Sequence, residues 1–171
     1  MNSEIAKNII RFVALIGIQI FLLNRIELHG YITPFIYPLF VLLLPFQMPV
    51  SAVLLLGFLS GLMIDLSIDT LGMHAAATTL MAFVRSFIIE VIEPRLGYDN
   101  NDKPTWACMG YRWFLIYAGV AVLFHQTAYY LIEALSFEYF HLMALKILAS
   151  SAVALLLMSF HQILFYKRVL R

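Results

Sequence analysis

Apolar residues run in long blocks along this chain, and polar residues gather in a few short breaks between them. A helix crossing a bilayer needs roughly 20 mostly apolar residues, because about 30 Å of hydrocarbon is covered at about 1.5 Å per residue. The blocks fall at 9–23, 32–46, 50–68, 71–89, 111–132 and 142–166. The first is closed by Asn24, Arg25 and Glu27. Its basic start, Lys7 and Arg11, resembles a signal peptide, but no small-residue cleavage site follows, so it reads as a retained span. The second holds Pro34, Pro38 and Pro45, and as a helix its 15 residues would reach only about 22 Å. Blocks three and four are joined only by Asp69 and Thr70. One long polar stretch, 93–105, separates the fourth block from the fifth.

Composition supports the pattern. Of 171 residues, 63% are hydrophobic and 12% charged. That charged share is about half of what a soluble domain carries, too little to cover a water-facing surface. The expectation is an all-α fold: a polytopic membrane helical bundle, one integral domain over 1–171, with six transmembrane helices. Lys and Arg total 11 against 10 Asp and Glu, so no broad basic surface for nucleic acid is expected. Cys108 is the single cysteine, which excludes an intrachain disulfide and a thiolate metal cluster.

Orientation follows from the basic residues. With six spans and a cytoplasmic N-terminus, nine lie inside (Lys7, Arg11, Arg85, Arg95, Lys103, Arg112, Lys167, Arg168 and Arg171) and two outside, Arg25 and Lys146. A re-entrant second block leaves five spans, exports Lys7 and Arg11, and gives at best eight against three. The six-span arrangement, with both termini cytoplasmic, is preferred. Tyr98, Trp106, Tyr111 and Trp113 then mark the inner interface, and Tyr129, Tyr130, Tyr139 and Phe140 the outer one.

Polar residues inside spans are costly and therefore informative. Gly57, Gly61, Asp65 and Asp69 recur every four residues and form one stripe on a helix. The Gly57-x-x-x-Gly61 spacing lets a neighbouring helix approach closely. Folding the third and fourth spans about Thr70 sets Asp65 at the depth of His74 to Ala76, where a hydrogen bond from His74 satisfies both; an interfacial His74 wetted by the outer surface is the equal alternative. The simplest role for Asp65 is to hold the two helices together; a role facing a partner or ligand is the alternative. Asp69 reads as a turn residue or cap, and Gly72 as a turn residue. The same folding of the last two spans brings Glu133 near the level of Lys146. Arg85, near a span end, is expected to snorkel to the inner interface. His125-Gln126 lies near the middle of its span, as interhelical glue or as cavity lining. The candidate packing or partner-binding residues are therefore Gly57, Gly61, Asp65, Gly72, His74, Glu133 and Lys146. The 93–105 stretch reads as a solvated connector.

Catalysis is not expected. Gly57-Phe58-Leu59-Ser60-Gly61 resembles an intramembrane protease's GxSG, but one residue too many precedes the serine. His125 is the only deep histidine in another span that could serve Ser60 as a base. Asp65 and Asp69 share one helix, so they cannot oppose each other as an aspartyl dyad. There is no HExxH for zinc, and no cofactor or metal is expected.

The stretch 57–65, followed by Leu71-Gly72-Met73-His74-Ala75-Ala76-Ala77, resembles the core of the rod shape-determining protein MreD family. Tyr37-Pro38-Leu39 with Leu44-Pro45-Phe46 is similar to that family's proline-bounded second span. Pro94-Arg95-Leu96-Gly97-Tyr98-Asp99 and Trp113-Phe114 are similar to its Gram-negative branch. The resemblance implies a non-enzymatic subunit of the cell-elongation machinery in the bacterial inner membrane, a scaffold for peptidoglycan synthesis. Its implied partners are a single-span MreC-like protein, RodA with its transpeptidase, MreB indirectly, and membrane lipid. The alternative is a small-solute-binding subunit of a vitamin-type importer, since those subunits are also six-span chains of this size and the two families could share a fold.

Overall fold

The computed structural model describes residues 2–25, 32–99, 102–134 and 140–166. Glu27, Asn100, Asn101, Ser136, Tyr139, Lys167, Arg168 and Arg171 lie outside the described residues. The regular structure is all helical: α1 (Asn2–Phe21, with a 3-10 turn at Leu23–Arg25), α2 (Leu39–Leu42), α3 (Val50–Ile68), α4 (Met73–Val91), α5 (Trp106–Met109), α6 (Tyr111–Ala134) and α7 (Phe140–Phe165). Among the described residues, five stretches are long and apolar enough to cross a membrane: Ile5–Arg25, Val50–Ile68, Met73–Val91, Tyr111–Ala134 and Phe140–Phe165. This is the pattern of a multi-pass membrane protein.

The helices turn apolar side chains outward as well as inward. Leu55, Phe58 and Leu66 of α3, Phe83 and Phe87 of α4, and Leu148, Leu156 and Phe160 of α7 are all exposed. In water such a surface would drive aggregation; in hydrocarbon it faces its own kind of solvent.

The second apolar block departs from expectation. Block 32–46 forms no spanning helix; its only α-helix is the single turn α2. Proline explains this, because Pro34, Pro38 and Pro45 lack backbone donors and interrupt any long helical ladder. Residues 34–44 are nonetheless entirely buried, and Tyr37, Leu39, Val41 and Leu42 are wholly inaccessible. The segment threads the middle of the bundle. Near one end, Thr33 hydrogen-bonds the Tyr130 hydroxyl near the C-terminus of α6 (2.7 Å). Near the other, the Leu42 carbonyl accepts from Tyr117 near the N-terminus of α6 (2.9 Å). Those two tyrosines are separated by about 20 Å of helix rise.

The third block matches α3 residue for residue. The fourth starts two residues later than expected, at Met73, because the turn before it is left-handed. Asp69 (φ 55°), Leu71 (φ 49°) and Gly72 (φ 91°) all have positive φ, and only glycine adopts that region without strain.

Candidate functional site

The α3–α4 hairpin is built on two glycines and one carboxylate. A Cβ placed on Gly61 would lie 2.5 Å from the Ala75 Cα and 2.6 Å from the Ala75 nitrogen, so the backbones are in contact there. At Gly57 it would meet the Ala82 Cβ at 3.0 Å and the Thr78 carbonyl at 3.2 Å. This approach carries the buried Asp65 onto the first turn of α4. Its Oδ1 accepts from the His74 backbone N–H (3.0 Å) and the Thr70 hydroxyl (2.5 Å), and its Oδ2 from the Ala75 backbone N–H (2.8 Å). The first N–H groups of a helix have no partner within it. A carboxylate there satisfies them and meets the positive end of the helix dipole. Asp65 thus caps a helix other than its own. The expected link to His74 exists, through backbone rather than imidazole. Asp69 is exposed and is the C-cap of α3, its N–H returning to the Asp65 carbonyl.

The His74 imidazole belongs to a second, deeper cluster. The Tyr37 hydroxyl contacts His74 Nδ1 (3.0 Å), Thr78 Oγ1 (2.8 Å) and His125 Nε2 (2.8 Å), all buried. Thr78 donates its own proton to the His74 carbonyl (2.7 Å). One proton assignment uses every contact: Tyr37 donates to Thr78, and both imidazoles donate N–H to the Tyr37 oxygen. Phe35 and Tyr129 pack their rings against His74, closing the cluster with apolar faces. His74 Nε2 and His125 Nδ1 have no protein partner. Three elements of the bundle are pinned at one atom.

A third cluster holds the opposite end of the threaded segment. Arg85 is 2% exposed, contrary to the expectation that it snorkels. Its Nε donates to the Tyr117 hydroxyl (2.8 Å) and its Nη2 to the carbonyls of Leu44 (2.5 Å) and Pro45 (3.4 Å). Arg11 adds a bond to the Leu43 carbonyl (3.3 Å). These are carbonyls at and beyond the end of α2, left without helical partners and attractive to a cation. A snorkelling arginine and a carbonyl-binding one look alike in sequence; the helix-breaking prolines around that segment were the available signal. At the other end Gln19, fully buried, accepts from the Ile36 N–H (2.8 Å) and donates to the Pro34 carbonyl (3.2 Å). Gln19 was overlooked, although a lone glutamine in an apolar span is itself a signal. Irregular backbone at membrane depth is tolerated where protein supplies such partners.

The remaining candidates fall elsewhere. Glu133 is exposed near the end of α6, and Lys146 places its Nζ 5.9 Å from the Tyr130 ring centre. Tyr129 and Tyr130, expected at the interface, are buried; the Tyr130 hydroxyl meets Ser150 Oγ at 2.8 Å. They turn inward to pack on the threaded segment and its neighbours, Tyr129 against Phe35 and His74 and Tyr130 against Thr33 and Ser150. Ser60 gives its proton to the Gly57 carbonyl (2.8 Å), while His125 is taken up by Tyr37 and Thr78. Gln126 is fully buried with neither amide atom partnered by protein. The 93–105 stretch is anchored rather than simply solvated. Tyr98 stacks on Phe46 (4.4 Å) and donates to the Ile89 carbonyl (2.8 Å), and Trp106 donates to the Gln162 carbonyl (2.8 Å). Burial pushes the Tyr98 phenol above its usual pKa. No group of three or more metal-ligating side chains occurs among the described residues.

Comparison of the chain with family models, with curated proteins and with solved structures gives no match.

Proposed function

We propose that this chain is a membrane adaptor of the bacterial cell-elongation machinery, with no reaction of its own. In this reading it sits in the inner membrane beside a single-span MreC-like partner, RodA and its transpeptidase, and reaches MreB indirectly. One observation carries the proposal. The residues on which the MreD resemblance rests (Gly57, Gly61 and Asp65 on one helix, Gly72 and His74 opening the next) meet in a single interlocked hairpin. The deep polar groups Tyr37, His74, Thr78 and Arg85 are likewise engaged between elements. A scaffold uses such groups this way, whereas a carrier turns them toward a ligand. The carrier reading is favoured by buried polar atoms with no protein partner, namely the Gln126 amide, His74 Nε2, His125 Nδ1 and Ser151 Oγ.

The proposed topology has six crossings, the second made by the threaded segment 32–46, with both termini and the 93–105 stretch cytoplasmic. Arg85 is engaged inside the bundle, so it no longer counts as a loop charge; eight basic residues against two still favour this orientation. A cysteine at Asp69 in a Cys108→Ser background should react with an impermeant thiol reagent in outer-membrane-permeabilised cells, and one at Asp99 should not. The reverse labelling overturns the topology. For the function, depletion in a rod-shaped host should give wide or round cells at normal polymerase levels, and the protein should be recovered with its MreC-like partner. Rescue of the depleted cells by a supplied vitamin, with no partner recovered, overturns the adaptor reading and favours the carrier.

A further inference from the structure

A groove of about 350 Å³ runs between α1, α2 and α3 at the end of the bundle where α1 begins. Its buried and half-buried walls are Phe12 of α1, Phe40 and Leu44 of the threaded segment and Leu56 of α3, with the exposed Leu59 at its rim. Its one polar wall residue is Asn8. Helical side chains lean toward their helix's N-terminus, and Arg11 accordingly sets its Nη1 3.0 Å from Asn8 Oδ1, one turn nearer the chain start. The same nitrogen donates to the Leu43 carbonyl, next to Leu44 in the wall. The third neighbour of the guanidinium is the Tyr166 ring, 5.8 Å away. Among the described residues no carboxylate pairs with Arg11. The groove is thus a hydrocarbon slot with an amide and a guanidinium beside its polar end, the guanidinium held by neutral groups and by no carboxylate among the described residues.

We propose that this slot holds one acyl chain of an anionic phospholipid from the leaflet at the α1 N-terminal end, its phosphate on Arg11 and Asn8. The groove matches a single hydrocarbon chain better than a whole helix. A helix about 10 Å across and three turns long fills roughly 1,000 Å³. If a methylene takes about the volume of a water molecule, roughly 30 Å³, the groove holds about a dozen. Charge selects the headgroup: a guanidinium pairs with phosphate through two parallel N–H bonds. The proposal does not depend on the adaptor reading.

The test is native mass spectrometry of the full-length protein in mild detergent, titrated with phosphatidylglycerol, phosphatidylcholine, diacylglycerol or inorganic phosphate. The protein should retain one phosphatidylglycerol at least tenfold more strongly than phosphatidylcholine or diacylglycerol, and millimolar phosphate should not displace it. Arg11→Gln should abolish the preference and Arg11→Lys should keep most of it. Leu56→Trp, which fills the slot, should reduce retention of every lipid several-fold. Arg25→Gln, near the opposite end of α1, should change nothing. Equal retention of the charged and zwitterionic lipids by the unaltered protein overturns the proposal. So does an unchanged preference in folded Arg11→Gln, or displacement by phosphate, which would mark a free-anion site.

Discussion

The two ends of α4 are held by mirror-image chemistry. At its start, a carboxylate from α3 binds helix N–H groups that have no partner of their own. Near its end, Arg85 of α4 binds carbonyls freed where the threaded segment leaves α2. In hydrocarbon an unpaired backbone group costs several kcal/mol, so each charged side chain permits a helix end, or a stretch of irregular chain, at a depth where water cannot serve it. The lesson lies in how far each charge reaches along the sequence. Asp65 meets groups nine and ten residues away, across one tight turn, whereas Arg85 meets groups about 40 residues away across the bundle.

The largest effect should come from breaking the first arrangement at its closest point. Gly61→Leu puts a side chain where the Ala75 backbone already stands. Because backbone cannot move aside as a flexible side chain does, α3 and α4 must separate, and Asp65 loses both N–H partners at once. The expected loss exceeds about 4 kcal/mol, the range reached only by severe core disruption. It should appear as failure to recover folded protein from membranes. Folded Gly61→Leu protein with the melting temperature of the unaltered chain would show that the helices do not meet there.

Asp65→Ala isolates the carboxylate from the contact. It leaves two buried N–H groups and a threonine hydroxyl unpaired, at about 1–3 kcal/mol for each buried group, so a loss of about 3 kcal/mol is expected. Asp65→Asn keeps an acceptor but not the charge facing the helix dipole, and should recover about half of that. Asp69→Ala, on the exposed cap, frees no buried partner but puts alanine in the left-handed region, and should cost only about 1 kcal/mol. Unfolding in mixed micelles measures all three. Equal losses at Asp65 and Asp69 would remove the distinction between a buried cap and an exposed one.

This difference in reach also explains what could be read from sequence. The Gly57–Gly61–Asp65 stripe was legible because spacing by four fixes a helix face, and a two-residue connection fixes what that face must meet. The placement of Asp65 opposite His74 to Ala76 followed directly. Arg85 was misread because its partners come from a segment whose path no periodicity encodes. The prolines at 34, 38 and 45 warned against a full helix, but they did not say that the chain would still be buried along its length. The Tyr37–His74–Thr78–His125 cluster was hidden for the same reason. Its histidines were visible one by one, while Tyr37, the atom that joins them, lies in the threaded segment and had been read only as part of a motif. Tyr129 and Tyr130 looked like an interfacial belt because they stand near a helix end, and only packing against the threaded segment and α7 turns them inward.

The smallest expected effect tests whether the two ends of α4 are truly separate devices. Arg85→Gln retains some donors but loses the charge and the fork that reaches Tyr117 and two carbonyls together, so a loss of about 2 kcal/mol is expected. Arg85→Lys should do little better, because a single ammonium cannot span those three acceptors as a planar guanidinium does. Asp65 binds α4 at residues 74 and 75, and Arg85 leaves it about 15 Å further along the helix. They share no hydrogen-bond partner, and sites that far apart usually add within about 0.5 kcal/mol. The Asp65→Asn, Arg85→Lys double variant should therefore lose the sum of the two single losses to within that margin, in the same mixed-micelle measurement. A coupling well beyond it would mean that the threaded segment transmits strain from one end of α4 to the other through Tyr37 and His74, and the two ends would have to be treated as one cooperative unit.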